Sequence, residues 1–594
     1  MKLSDYVVEF ISHQGVNHVF ELIGGAITHL IDSIYHSSDL ECVSVHHEQT
    51  GAFAAEAYAR INGRLGVAMA TSGPGALNMV TGIGSCWFDS VPCLFITGQV
   101  NTYEYKFDRP VRQIGFQETD IVSIVKPITK YAELITEPQS IRYHLEKAVW
   151  LAQNGRPGPV LLDIPMNIQR AEIEQDKLPG FWGSAEENKR TDIPVLDLES
   201  VKRVAALMKK AQRPVILVGG GVRTARGAKE LQTLVEQSGI PVVSTLMGLD
   251  ALPHDNSFFF GMIGSYGNRY SNMILANCDT LLILGARLDS RQTGTRPDTF
   301  ARAATKIHID IDLNELNAKV IVEHALNADV KEFLDALNKE IDGVIKIDLS
   351  SWYEVINRYR TKYPSRVEAQ ELSVIDPNRF MALLSEQCAD GDVICLDVGQ
   401  NQMWAAQSFL LKKGQRMIIS GGLGAMGFSL PAALGAAKAL PGQRIVSLSG
   451  DGGIQINIQD LEVIVSHQLP VKIFVFNNNC LGMVRQFQDI YFGGRQQSTV
   501  LGYGYGCPNL VKIAAAYGLP VFTISSFDRA EAILGEAFAI DGPAYIEIKL
   551  EQNTSVNPKL VVNRPIEDMS PYIDRQELAD AMLIDLVDEG DVPT

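Results

Sequence analysis

Positive charge is in short supply in this chain: 52 lysines and arginines face 69 aspartates and glutamates, a formal net charge of −17. Such a surface repels a polyanionic backbone unless a basic stripe is set aside for it, and the sequence shows no stripe, which excludes nucleic acid as a partner. Clustered cysteine is missing as well. The eight cysteines (Cys42, Cys86, Cys93, Cys278, Cys388, Cys395, Cys480 and Cys507) form no CxxC pair and no Cys/His group at zinc-ligand spacing. That leaves neither a zinc module nor a disulfide scaffold, and suits the reduced thiols of a cytoplasmic protein. No apolar run approaches the ~20 residues that cross a bilayer, so no membrane contact is expected. The opening "MKLSDYVVEFISHQG" sets Asp5 and Glu9 inside an apolar-periodic pattern, which reads as an amphipathic helix rather than a secretory leader. Repeats and low-complexity tracts are absent too.

Glycine is plentiful, with 50 residues, and short apolar runs punctuate almost the whole chain. "LGVAMATSG", "CLFITGQ", "PVLLDIP", "PVILVGGG", "TLLILGA", "KIHIDID", "RIVSLSGDGG", "VKIFVFNNN" and "AYIEIKL" alternate with helical stretches. Continuous apolar strands separated by helices predict an α/β protein of doubly wound parallel sheets, with ligands at the carboxyl ends of the strands. A length of 594 residues predicts about three or four domains. Polar stretches around 172–197 and 350–377 break the pattern and place domains at 1–175, 190–345 and 370–550, followed by a tail, 551–594, expected to pack over or near a site.

Three places carry chemistry. In "VSVHHEQTGAFAAEAYAR" a strand hands over to a helix at Glu48; a carboxylate there is either a favourable charge at a helix N-terminus or a catalytic group. In "SLSGDGGIQINIQD" and "FNNNC", Asp451 precedes Asn478 by 27 positions. On neighbouring parallel strands these two would meet, with glycines admitting a phosphate and oxygen donors suiting magnesium; a plain βα turn is the other reading. The run Gly219, Gly220, Gly221 in "PVILVGGGVRTARGAKEL" is either a tight βα turn or a nucleotide site.

Taken together, "GDG" and "NN" at this spacing resemble the signature of thiamine-diphosphate (ThDP) enzymes. The resemblance implies that Asp451, Asn478 and the main chain of Cys480 bind Mg2+, with Gly450, Gly452, Gly453, Leu481, Gly482 and Met483 around the diphosphate. "HHEQTGAFAAEAYAR" resembles the segment carrying the catalytic glutamate, Glu48, which in this family hydrogen-bonds the aminopyrimidine ring. "ATSGPGALNMVTG" resembles the adjoining pyrimidine loop, with Pro74 and Asn78, and "SGGLGAMGFSLPAALGA" the stretch that folds the cofactor over, with Gly424 and Met426. Gly399, Gln400 and Asn401 of "DVGQNQMWAAQ" join the cofactor set. The first domain is then pyrimidine-binding and the third diphosphate-binding, and a homodimer or homotetramer with active sites at the subunit interface is expected.

The middle domain is similar to the FAD-binding domain of acetolactate synthases. This implies bound FAD, held by Gly219, Gly220, Gly221, Leu246, Met247, Gly264, Gly285, Arg287, Asp289, Arg291, Asp310, Ile311 and Asp329, with Gly421 and Gly422 from the third domain. "RQIGFQETD" resembles the loop that places Phe116 and Gln117 at the substrate, and Arg291 matches an arginine that receives the acceptor's carboxylate; a solvated surface arginine is the plainer reading. Departures cluster where an acceptor would enter. Leu22 and Ile23, before Gly24, replace a Tyr-Pro pair, and Phe487 replaces a tryptophan; Asn401 and Ser290 also differ. "VFELIGGAITHLIDSIY" resembles relatives of acetolactate synthases in bacterial deoxysugar pathways such as that of yersiniose. That implies a carboligase transferring the two-carbon unit of pyruvate to a ketone acceptor, a CDP-linked 3,6-dideoxy-4-ketohexose. Acetolactate synthase itself, which condenses two pyruvates, is the alternative, and pyruvate oxidase a third reading.

Overall fold

The computed structural model describes residues 1–184, 194–341, 347–365 and 374–587. Three six-stranded sheets organise these residues, and within each of them every paired strand is parallel. The central strands are largely apolar because helices cover both faces. Gly66–Ala70, Cys93–Gln99, Pro214–Val218, Thr280–Leu284 and Val471–Asn477 are buried at every residue.

The first sheet runs Glu41–Ser44, His18–Leu22, Gly66–Ala70, Cys93–Gln99, Val160–Pro165, Tyr131–Leu134. The third runs Arg416–Ile419, Val393–Leu396, Ile445–Gly450, Val471–Asn477, Ala544–Lys549, Val521–Ile524. Numbered along the chain, both have the order 2-1-3-4-6-5. The middle sheet differs: His324–Asn327, Thr305–Asp310, Thr280–Leu284, Pro214–Val218, Val242–Ser244, Phe259–Met262, which is 6-5-4-1-2-3. That is the dinucleotide-binding order, with its switch point between Pro214–Val218 and Thr280–Leu284.

Equivalent helices join the first and third domains. Glu48–Asn62 and Ser429–Ala439 each follow the second strand of their sheet and pack on one another. Close approach needs a missing side chain: a Cβ on Gly435 would lie 2.0 Å from the Ala54 carbonyl oxygen. Beside it the Phe53 and Phe428 rings meet edge to face at 5.2 Å. Gly435→Ala is therefore expected to destabilise the fold by about 1–3 kcal/mol through overpacking. Chemical denaturation reads this directly, and an unchanged midpoint would show that the helices do not pack this way in solution.

The expected boundaries at 190, 345 and 370 lie outside the described residues. Within the second polar stretch, the helix Ser350–Lys362 buries Trp352, Ile356 and Tyr359 in the apolar cluster of the middle domain. The tail crosses from the third sheet to that same cluster, adding Ile566, Leu578, Ala581 and Met582. On the way it forms an antiparallel ribbon of Lys559–Leu560 with Met569–Ser570.

Candidate active site

Glu48 is the first residue of its helix, and its side chain does not spend itself on capping. Asn78, in the helix Pro74–Asn78, donates from Nδ2 to Glu48 Oε2 at 2.9 Å. The carboxylate is 7% exposed, and its other oxygen faces Gly75, where a Cβ would come within 3.0 Å. Two bonds from the third domain fix the turn around it. Asp460 accepts from the His46 main-chain N–H at 2.7 Å and from the Thr50 hydroxyl at 2.6 Å. The loop with Phe116 and Gln117 folds against the loop that leads into Pro74–Asn78: Gly73, at φ 64, leaves no room for a side chain, because a Cβ would meet the Gln117 carbonyl oxygen at 2.9 Å. Gln117 itself adopts φ 63, and Phe116 is 86% exposed. Leu22, Ile23 and Gly24 end the strand His18–Leu22 against Thr71, whose side chain a Cβ on Gly24 would strike at 2.5 Å. Ile23 is 57% exposed.

The second half gathers at the carboxyl ends of Ile445–Gly450 and Val471–Asn477, which pair in parallel with Gly450 opposite Phe476. Adjacent strand ends thus bring Asp451 and Asn478 together. Burial pushes the Asp451 carboxyl up to about 6, and the Tyr505 hydroxyl, 2.9 Å from Oδ2, works against that shift. The Asn478 Nδ2 is committed to Gln400 Oε1 at 2.9 Å, which leaves the amide oxygen for a cation. Cys480 follows, in a bridge with Val500. Gly452 leaves a hollow that a Cβ would fill, 2.5 Å from Leu481 and 3.5 Å from the Met426 methyl; on Gly482 it would reach Gln400 Oε1 at 1.9 Å. A buried carboxylate facing no cation, an amide oxygen and a main-chain carbonyl are the oxygen set magnesium prefers when a diphosphate completes it. No cluster of three His, Cys, Asp or Glu residues among the described residues offers a metal another home.

Asp397 sets the position of Met426. Its carboxylate accepts from the main-chain N–H of Gly427 at 2.9 Å and of Ser429 at 3.3 Å. It also abuts Gly453, where a Cβ would come within 2.8 Å of Oδ1. Burial pushes this carboxyl up to about 6, against those hydrogen bonds. Gly424, at φ 69, opens the turn. Asn401 is turned inward: its amide donates to the carbonyls of Asp397 and Leu448 at 3.0 and 3.1 Å. Gly399 lies against its side-chain oxygen, and Met483 continues the helix Gly482–Tyr491.

A cavity of about 930 Å³ opens at the switch point of the middle sheet. Gly220, Gly221, Leu246, Met247, Gly285, Arg287, Asp289, Arg291, Asp310, Ile311, Asp329, Gly421 and Gly422 all line it. Two predicted residues do not. A Cβ on Gly219 would lie 2.1 Å from the Gly285 carbonyl oxygen, and one on Gly264 2.4 Å from that of Arg291; these glycines let main chains approach behind the wall rather than face a ligand. Asp89 holds Gly421 and Gly422 by their N–H groups at 2.9 and 2.7 Å. Asp289 accepts from the N–H of Arg291 and Gln292, and from Arg287 at 3.3 Å. Burial pushes Asp310 up to about 6 despite the Asp312 N–H it accepts. The volume and the strand order suit a dinucleotide.

In the wall of the same cavity, Asp250 meets Arg416 of the third domain at 2.7 Å and Arg223 at 3.4 Å. Burial alone would raise this carboxyl, but the two guanidiniums outweigh it and hold Asp250 at about 2. Its folded pKa is depressed, so its contribution is present above the unfolded pKa and lost as pH falls from about 4 towards 2. We expect about 2 kcal/mol of acid-sensitive stability from it. Urea midpoints measured across that range check this, with Asp250→Asn lacking that part of the slope.

Three family models match the chain in order: "Thiamine pyrophosphate enzyme, N-terminal TPP binding domain" over 1–124, "central domain" over 201–337 and "C-terminal TPP binding domain" over 397–548. The chain belongs to the thiamine pyrophosphate enzyme family. Its relatives place it in the acetolactate synthase branch. It is 37% identical over 584 residues to acetolactate synthase 2, chloroplastic, of Nicotiana tabacum, covering 96% of this chain and 85% of that one. It is 36% identical to the acetolactate synthase large subunit of Porphyra purpurea, over 93% and 92%. It is also 36% identical to the chloroplastic acetolactate synthase of Arabidopsis thaliana, over 94% and 83%.

Several residues that shape the sites of this thiamine pyrophosphate enzyme carry no signal in its sequence. Tyr505 lies in a glycine-rich loop, Asp460 more than 400 positions from the turn it holds, and Asp250 between domains. None carries a local pattern; tertiary packing alone delivers them.

Proposed function

We propose that the protein is a ThDP-, Mg2+- and FAD-dependent carboligase that decarboxylates pyruvate and joins the two-carbon unit to a ketone, a second pyruvate in the first instance. The observation that carries this reading is the Glu48–Asn78 pair, buried in a turn that Asp460 of the diphosphate domain clamps. ThDP, when bound, supplies a thiazolium that stabilises the carbanion left when a 2-oxo acid loses CO2. Glu48 holds a proton at Oε1 or Oε2 for the aminopyrimidine ring, and Asn78 orients the carboxyl. Asp451, the Asn478 amide oxygen and the Cys480 carbonyl hold Mg2+, and Gly452 lets the diphosphate approach. Met426 supports the ring, held in place through Asp397. Gln117 donates to the oxygen that gains charge, and Phe116 closes the pocket against water.

FAD is assigned to the 930 Å³ cavity. A homodimer or homotetramer accounts for the exposure of Phe116, Ile23 and Met426 in one chain, since a partner would cover them. A second reading, a CDP-linked 3,6-dideoxy-4-ketohexose as acceptor in yersiniose-type branched-sugar biosynthesis, is favoured by one specific feature. Leu22 and Phe487 leave more room than the tyrosine and tryptophan they replace. Supplying that sugar together with pyruvate tests it: a two-carbon branch on the sugar supports the second reading, and acetolactate alone supports the first.

A further inference from the structure

Lys559 is an anomaly in the tail. It is 6% exposed, and its ammonium has no hydrogen-bond partner among the described residues. Three aromatic faces surround it instead, with Nζ 5.3 Å from the Tyr491 ring centre, 5.4 Å from Phe487 and 5.9 Å from Tyr266. Rings at this distance attract a cation, but they do not replace the hydrogen bonds the ammonium leaves in water. Burial pushes its pKa down, and no carboxylate pulls it back up.

The surroundings fix its place. Phe487 and Tyr491 lie one and two turns beyond Met483 on the helix Gly482–Tyr491, which starts at the diphosphate glycine. Tyr266 lines the large cavity. The Leu560 N–H donates to the Ser265 carbonyl at 2.7 Å, and the Ser265 N–H to the Arg291 carbonyl at 2.7 Å. The main chain therefore ties Lys559 to the segment of Arg291, while its side chain covers Phe487.

We propose that Lys559 receives an anionic group of the acceptor substrate, a carboxylate or a phosphate, at the Phe487 side of the site. The inference rests on the carboligase reading and adds a residue to it. An ammonium left unpaired between aromatic walls lacks an acceptor, and an anion supplies one once the half-exposed Phe487 ring swings aside to open the way to Nζ. The carboxylate of a second 2-oxo acid and the diphosphate of a nucleotide-linked ketosugar share the required chemistry.

The test uses the enzyme loaded with ThDP, Mg2+ and FAD, pyruvate as donor, and three acceptors: 2-oxobutyrate, uncharged butane-2,3-dione and a nucleotide-linked 4-ketohexose. Lys559→Met should raise KM for a charged acceptor by about 10- to 100-fold, the range of a hydrogen bond between charged groups. KM for butane-2,3-dione should stay within about twofold, and Lys559→Arg should recover most of the loss. A rise confined to 2-oxobutyrate identifies the carboxylate, and one confined to the ketosugar identifies the diphosphate. Calorimetry with 2-oxobutyrate and with inorganic diphosphate reads the same contact without turnover, and weaker binding of either to Lys559→Met supports it. Unchanged KM and affinity for every anion, or an equal loss with the uncharged ketone, overturns the assignment of Lys559. Absence of product from the wild-type enzyme with every acceptor overturns the carboligase reading instead, and calorimetry still decides the lysine.

Discussion

Glu48→Gln lowers kcat by about 100- to 10,000-fold, the scale of a lost general acid–base group, while ThDP and flavin stay bound. Glutamine keeps the size of the side chain and can still face the Asn78 amide, so the packing of the turn clamped by Asp460 survives. What it loses is the exchangeable carboxyl proton. The effect should therefore appear in kcat rather than in the affinity for ThDP, which calorimetry measures separately. Wild-type turnover in this variant would remove Glu48 from the chemistry and return it to the role of a charge at a helix N-terminus.

Asp451→Asn strikes the other half of the site. Its carboxylate is the one acidic group in the proposed metal set, buried and within reach of the Tyr505 hydroxyl. Losing a residue that merely orients a ligand typically costs about 10- to 100-fold in metal affinity, so removing the only charged ligand should cost at least about 100-fold. Raising Mg2+ should restore ThDP binding in part, because the asparagine oxygen remains a donor. Metal-dependent ThDP binding identical to wild type would show that the ion is held elsewhere. The two variants make a pair: one abolishes turnover with the cofactor in place, the other displaces the cofactor.

Much of the fold was written in the chain because buried parallel strands advertise themselves as continuous apolar runs. All nine runs quoted from the sequence contain strands of the three sheets, from Gly66–Ala70 to Ala544–Lys549. The edge strands were not legible. Tyr131–Leu134 and His324–Asn327 have no fully buried residue, so neither continuity nor alternation marks them. The shared 2-1-3-4-6-5 order of the outer sheets and the dinucleotide order of the middle one depend on pairing, which no local pattern records.

The site divides in the same way. Asp451 and Asn478 could be paired from spacing because each follows one of two neighbouring parallel strands, with only helical turns and the second strand between them. Glu48 stood out because it begins a helix at a strand's end. Gly219 and Gly264 show the limit of that approach: a glycine-rich turn contains both glycines that face a ligand and glycines that let main chains cross, and a sequence does not separate them. Lys559 was hidden for another reason. Its tail reads as polar, and only the ribbon with Met569–Ser570 turns the ammonium inward against Phe487.

One measurement bears most directly on the central claim. Purified protein is incubated with ThDP, Mg2+, FAD and pyruvate, and the products are identified by mass spectrometry, with oxygen uptake followed in parallel. Pyruvate lost with CO2 release and formation of acetolactate, without oxygen uptake, is the predicted result. Acetate and peroxide formed with oxygen uptake would make the protein an oxidase, and pyruvate returned intact would contradict the account altogether.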